Sequence, residues 1–236
     1  MQHSLTDEIL ALKRDRKAII LAHHYQDSEI QEIADAIGDS LELSLKARQF
    51  DGDVIAFCGV KFMAETAKVL NPSRTVILPD LEAGCSLVDA CPAEQVRAYK
   101  ARHPEQKVVS YINTSVEVKA ESDILCTSRN AVKVVNSIAA EQPILFLPDV
   151  NLGNYVQKQS GRTNMTIWQG ACIVHATFAE RKLMAAQAAH PNAVVVAHPE
   201  CPPAVLARSS YIGSTSALID WCVATDAQEF IVMTES

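Results

Sequence analysis

The chain has 236 residues, 48% of them apolar and 21% charged, which excludes a chain disordered over most of its length. With 28 acidic and 21 basic side chains, the net charge is -7, and the broad basic footprint of a nucleic-acid binder is absent. Apolar runs such as residues 18–22 are far below the roughly 18 residues of a membrane span. Asp7 and Glu8 stand where a secretory signal would be basic and then apolar. The expectation is a cytoplasmic protein with no nucleic-acid or membrane partner. Its seven cysteines are then core residues, nucleophiles or metal ligands.

In chain order, residues 17–22 read as a buried strand. Ile30, Ile33, Ala34 and Ile37 follow helical spacing, with Gly38 as the stop, and Asp39 or Ser40 caps a further helix. Residues 53–57 and 75–78 read as strands flanking a helix marked by Met63, Ala67 and Leu70. Such alternation predicts parallel sheets with crossover helices, an α/β fold.

An internal repeat adds to this. Three strands end in polar tips: Ala22-His23-His24-Tyr25, Ser110-Tyr111-Ile112-Asn113 and Ala197-His198-Pro199-Glu200. Three more run into helix-opening turns: Phe57-Cys58-Gly59, Cys126-Thr127-Ser128 and Ile212-Gly213-Ser214-Thr215. A third set is Leu78-Pro79-Asp80, Leu147-Pro148-Asp149 and Met233-Thr234-Glu235. Aligned this way, the first copy carries an extra helix near Ser40. The expected division is residues 1–88, 89–176 and 177–236, each a small α/β unit, the third incomplete at its C-terminal end. Parallel sheets bind ligands beyond the carboxyl ends of their strands, where these tips fall.

Cys85 and Cys172 lie 87 residues apart, each in a glycine-containing loop after a strand. Without a Cys-x-x-Cys pair, spacing alone leaves them as loop residues or ligands.

Taken together, the motifs resemble the quinolinate synthase family. The likeness runs through residues 22–26 (AHHYQ), 59–66 (GVKFMAET), 78–80 with 84–86 (LPD, GCS), 111–113 (YIN), 126–128 (CTS), 168–175 (WQGACIVH) and 198–201 (HPEC). It implies three similar α/β units around a pseudo-threefold axis. It also implies a [4Fe–4S] cluster on three cysteines, two of them matching Cys85 and Cys172, with the third expected beyond Ser236. The implied reaction condenses iminoaspartate with dihydroxyacetone phosphate to quinolinate, phosphate and water. An open iron of the cluster acts as Lewis acid, and L-aspartate oxidase is the functional neighbour.

Carried over to this sequence, Glu200 is the expected general base, with Tyr25 and His175 as further catalytic groups. His23, Tyr111, Ile112 and Asn113 line the site for carboxylate or carbonyl groups, and Ser40 and Ser128 offer donors to anions. His198, Pro199, Ser214, Thr215 and Thr234 form the phosphate end. Two other readings accompany this one. The first is a zinc lyase or hydrolase using Cys172, His175, His198 and Glu200, whose Cys-x-x-His spacing suits zinc. The second is a cluster-less truncated relative with a binding role.

Overall fold

A computed structural model describes residues 4–235. The chain divides between Cys85 and Ser86 into two compact units. Among the described residues no helix is long and apolar enough to cross a membrane.

The first unit begins with the helix Leu5–Asp15, where Ser4 and Asp7 form a reciprocal capping box. Its sheet contains β1 (Ala18–His23), β2 (Ala36–Gly38), β3 (Val54–Cys58) and β4 (Thr75–Ile77). The strand order is β2-β1-β3-β4, and every pairing is parallel. β1 is a near-continuous apolar run, buried from Ile19 to His23, as a central parallel strand covered on both faces must be.

The second unit holds two parallel sheets. One contains β5 (Lys107–Tyr111), β6 (Ile124–Cys126), β7 (Ile144–Leu147) and β8 (Met165–Ile167), in the order β6-β5-β7-β8. The other contains β9 (Val194–Ala197), β10 (Tyr211–Ile212) and β11 (Phe230–Met233), in the order β10-β9-β11. Val96, Val108, Val118, Leu145 and Leu147 pack one core cluster; Leu183, Val195, Ala197, Val205 and Met233 pack another. Over the described residues the chain is thus an α/β protein with three parallel sheets of four, four and three strands, the third smaller.

The structure corrects the repeat in one respect. The helical pattern at residues 30–37 is not one helix: a helix covers only Ser28–Ile33, and Ala36–Gly38 is a strand beside β1. A three-residue strand is too short to show its own period, and pairing with Leu21–His23 overrides the spacing of the isoleucines. The helix Ser40–Lys46, capped by Asp39 as expected, is therefore not an extra element. It follows β2 as the helix Ala131–Asn136 follows β6.

Register now fixes the equivalences. β2, β6 and β10 flank the central strands β1, β5 and β9 on one side, and β3, β7 and β11 flank them on the other. Phe57-Cys58-Gly59 thus corresponds to Phe146-Leu147-Pro148, not to Cys126-Thr127-Ser128. The pairs His23↔Gly38, Tyr111↔Cys126 and Ala197↔Ile212 are each 15 residues apart. A shared device pins this spacing. The Asp35 carboxylate accepts from Ile20 N at 2.7 Å, and the Asp123 carboxylate accepts from Val108 N at 2.7 Å. Counted along the matched strands, His23, Tyr111 and His198 occupy one position, Tyr25, Asn113 and Glu200 a second, and Ser40, Ser128 and Thr215 a third.

Candidate functional site

The first unit presents the tip of β1. His23 is buried, and its Nδ1 accepts the Tyr25 backbone N–H at 3.4 Å. The two rings lie 3.9 Å apart, and the Tyr25 hydroxyl reaches Met63 Sδ at 3.8 Å. Ser40 is buried in the first turn of its helix, where Asp39 rather than Ser40 is the cap. Cys85 ends this unit as a half-buried residue.

Burial, with a smaller push from His24, lowers the His23 imidazole to about 3. Its Nδ1 is already an acceptor, so the ring is neutral in the folded protein. The unfolded ring titrates at about 6.5, so between that pH and 3 the unfolded chain binds the extra proton. Stability from this group is therefore full above 6.5 and falls as the pH drops towards 3. Between pH 7 and pH 5 the wild-type chain should lose about 2 kcal/mol more than His23→Asn. Urea unfolding of both proteins at the two pH values measures this difference. Equal acid sensitivity in the two proteins would show that burial of the ring carries no such cost.

In the second unit, side chains at or just beyond the ends of β5, β6, β9 and β11 and from the segment after β8 meet in one largely buried network. Tyr111 ends β5, and its side chain hydrogen-bonds Glu200. Ile112 is buried and donates its N–H to Cys126 O at 2.9 Å, while Asn113 is half-buried at the same tip. Thr114 folds that tip back, its hydroxyl donating to Tyr111 O at 3.1 Å.

His198 repeats the device of His23. Its Nδ1 accepts the Glu200 N–H at 3.3 Å. The ring proton therefore belongs on Nε2, 3.2 Å from Ser128 Oγ. Burial takes the His198 ring down to about 4 against the opposing charge of Glu200, so it is neutral as well. The buried Pro199 lies between them, and Asn151 holds the tip from outside by donating to Glu200 O at 3.0 Å.

His175 stands at the centre of this network. Its Nδ1 is 3.2 Å from Glu200 Oε2, its Nε2 is 3.3 Å from Thr234 Oγ1, and its ring stacks on His198 at 5.1 Å. The contact with Glu200 is an ion pair: among the described residues Nδ1 has no aligned hydrogen-bond partner. Burial alone would lower His175, but Glu200, Glu235 and Asp149 carry it above the ordinary imidazole value. Burial alone would raise Glu200, yet His198, His175 and Tyr111 hold its carboxyl below the usual carboxylate range. Both shifts favour the charged forms of the pair, imidazolium and carboxylate.

Cys172 is buried beside this pair, its Sγ 3.5 Å from Glu235 Oε1. Burial and then the Glu200 charge push its thiol well up. The loop around it is fixed at several points. Asp149, fully buried, accepts from Cys172 N at 3.2 Å and from Leu152 N at 2.6 Å. Among the described residues two groups that could hold a metal ion overlap at His175: Cys172, His175 and Glu235, and His175, His198 and Glu200. The four residues of the zinc reading are therefore split between two sets that share one histidine.

Ser214 caps the helix Thr215–Ala224 through Ala217 N, and Thr215 is half-buried in its first turn. Ser128 and Ser214 open on a cavity of about 430 Å³, walled further by Tyr155, Tyr211 and Trp221. Three groups of the network went unassigned in the sequence: Asp149, Asn151 and Glu235. Two of them sit in the repeated strand-end motifs Leu147-Pro148-Asp149 and Met233-Thr234-Glu235, which was the signal available.

The family model described as Quinolinate synthetase A protein matches residues 7–236. The chain belongs to the quinolinate synthase family. It is 57% identical over 227 residues to the quinolinate synthase of Nostoc sp. (strain PCC 7120), covering 96% of this chain and 70% of that protein. To the quinolinate synthase of Microcystis aeruginosa it is 56% identical over 236 residues, 98% of this chain and 74% of the relative. The quinolinate synthase of Chloroherpeton thalassium is 54% identical over 235 residues, 100% of this chain and 73% of its own length. Membership of the quinolinate synthase family thus spans almost all of the described residues, both units included.

Proposed function

We propose that this chain carries the quinolinate synthase reaction, condensing iminoaspartate with dihydroxyacetone phosphate to quinolinate, phosphate and water. The observation that carries this reading is the largely buried network in which Tyr111, Ser128, His198 and Glu200, from strand ends, meet His175. Hydroxyl donors, a carboxylate and two imidazoles, one shifted up and one shifted down, stand within contact of one another. That is the equipment for moving protons on and off carbon and nitrogen.

Glu200 takes the proton as general base, and His175 beside it, its imidazolium form favoured by the facing carboxylates, returns one to a leaving hydroxyl. Tyr25 is a second proton-bearing group, at the position in the first repeat that Glu200 holds in the third. Tyr111, Ile112, Asn113 and His23 receive the dicarboxylate. Ser40 and Ser128 add hydroxyl donors, and His198, Pro199, Ser214, Thr215 and Thr234 receive the phosphate-bearing partner. We read the chain as three repeats, residues 1–88, 89–176 and 177–236. An oxidase acting on L-aspartate, in the cytoplasm, supplies the unstable imine.

The donor chemistry of Cys172 fits a cluster. It is a buried free thiol whose ligand atom lies within 4.8 Å of those of His175 and Glu235. Cys85 and Cys172 would hold a [4Fe–4S] group. When bound, such a group supplies a Lewis-acidic iron that polarises a substrate oxygen.

The test is anaerobic purification, reconstitution with iron and sulfide, and assay with enzymatically generated iminoaspartate. The expected result is a brown protein absorbing near about 400 nm that releases quinolinate. An iron-bearing, folded chain that forms no quinolinate sinks the reading. A colourless chain that retains zinc favours the lyase or hydrolase reading.

A further inference from the structure

Cys172 lies outside regular structure, between β8 and the short helix Ile173–Ala176. Its position is set by whatever bonds its flanks. One strut is the Asp149 carboxylate on its own amide. A second is backbone: Val150 N donates to Gly170 O at 2.7 Å, and Gly170 N donates to Pro148 O at 3.1 Å. A Cβ on Gly170 would lie 2.6 Å from Pro148 O, so only glycine permits that approach.

The third strut is Ser86. Its hydroxyl accepts the Ile173 N–H at 3.0 Å and donates to Ala171 O at 3.4 Å. One hydroxyl thus binds the residue before Cys172 and the residue after it, using its single proton and one lone pair. Ser86 begins a four-residue helix, but both hydrogen bonds described for its hydroxyl leave that helix for the Cys172 loop. It is also the residue next to Cys85.

We infer that Ser86 is a positioning residue for cluster ligation, holding both flanks of the Cys172 loop from the position adjoining Cys85. This rests on the reading of Cys85 and Cys172 as ligands. A cluster needs its thiolates at fixed separations, whereas an untethered loop pays ordering entropy on binding.

The test uses Ser86→Ala, Ser86→Thr and Cys172→Ser in the full chain. In metal-free protein, alkylation by iodoacetamide is followed cysteine by cysteine by mass spectrometry. Cys201, fully buried with its thiol donating to Met233 O at 3.2 Å, is the reference for global opening. Ser86→Ala should label Cys172 about five- to tenfold faster while Cys201 keeps its wild-type rate, and Ser86→Thr should restore the wild-type rate at Cys172. After reconstitution, chelator-driven iron loss should quicken in Ser86→Ala and recover in Ser86→Thr. Wild-type labelling of Cys172 in Ser86→Ala overturns the inference, and so does a parallel rise at Cys201, which would mark a general stability role. If Cys172→Ser abolishes the cluster while Ser86→Ala behaves as wild type, the ligand reading stands and only the Ser86 inference falls. If Cys172→Ser holds iron and sulfide as the wild type does, the ligand reading falls and takes the inference with it.

Discussion

Replacing Glu200 with glutamine is expected to lower the turnover number for quinolinate formation by about 10²–10⁴-fold, the usual contribution of a positioned base. Glutamine keeps the length and planar head of the side chain. It can still accept from Tyr111, whose hydrogen bond is one of the influences holding Glu200 ionised. What it loses is the ability to take a proton and the charge that faces His175 at 3.2 Å. Removing one partner of a buried ion pair normally costs several kcal/mol because the other charge is stranded. Here the stranded group is an imidazole, which escapes by releasing its proton. The fold should therefore persist while turnover collapses, and KM should change far less than kcat because the substrate contacts proposed for Tyr111, Asn113 and His198 remain. Steady-state kinetics beside a circular-dichroism melting curve measures both. Turnover within tenfold of the wild type would remove Glu200 from the role of base.

The features legible in the sequence were those carried by long-period or strand-end signals. The apolar run of β1 and the polar tips at His23, Tyr111 and His198 stand out because a parallel strand buried on both faces must change character where it leaves the sheet. The strand Ala36–Gly38 did not stand out. Three residues carry no period, and the helical spacing of Ile30, Ile33 and Ile37 outweighed them. The cost was an alignment that hid the correspondence of Ser40 with Ser128 and Thr215, although each was picked out on its own. The long-range contacts of Asp149 and Ser86 were illegible for a different reason. Each acts through a backbone amide far along the chain, 23 residues away for Asp149 and 87 for Ser86. Nothing local distinguishes a carboxylate that caps its own helix from one that also holds a distant loop.

Asp149 is where that second kind of contact should have its largest effect on stability. Its side chain is fully buried, and both oxygens are engaged: one accepts from Leu152 N at 2.6 Å, the other from Cys172 N at 3.2 Å. Alanine removes the cap of the helix Val150–Ser160, worth about 1 kcal/mol. It also strands a buried amide at Cys172, worth about 1–3 kcal/mol. Against this, burial and the nearby Glu200 push the Asp149 carboxyl up, so part of the loss is offset by relief of an unfavourable charge. The expected net loss for Asp149→Ala is about 2–4 kcal/mol, read from urea unfolding at neutral pH. Asparagine has one acceptor oxygen where aspartate has two, and its amide nitrogen would face the second N–H. Asp149→Asn should therefore keep one of the two bonds and fall between wild type and alanine. A loss under about 0.5 kcal/mol in the alanine protein would mean that water replaces both contacts at no cost. A graded loss would instead tie the stability of the second unit to the loop that carries Cys172, so that the thiol and the helix Val150–Ser160 are held by one carboxylate.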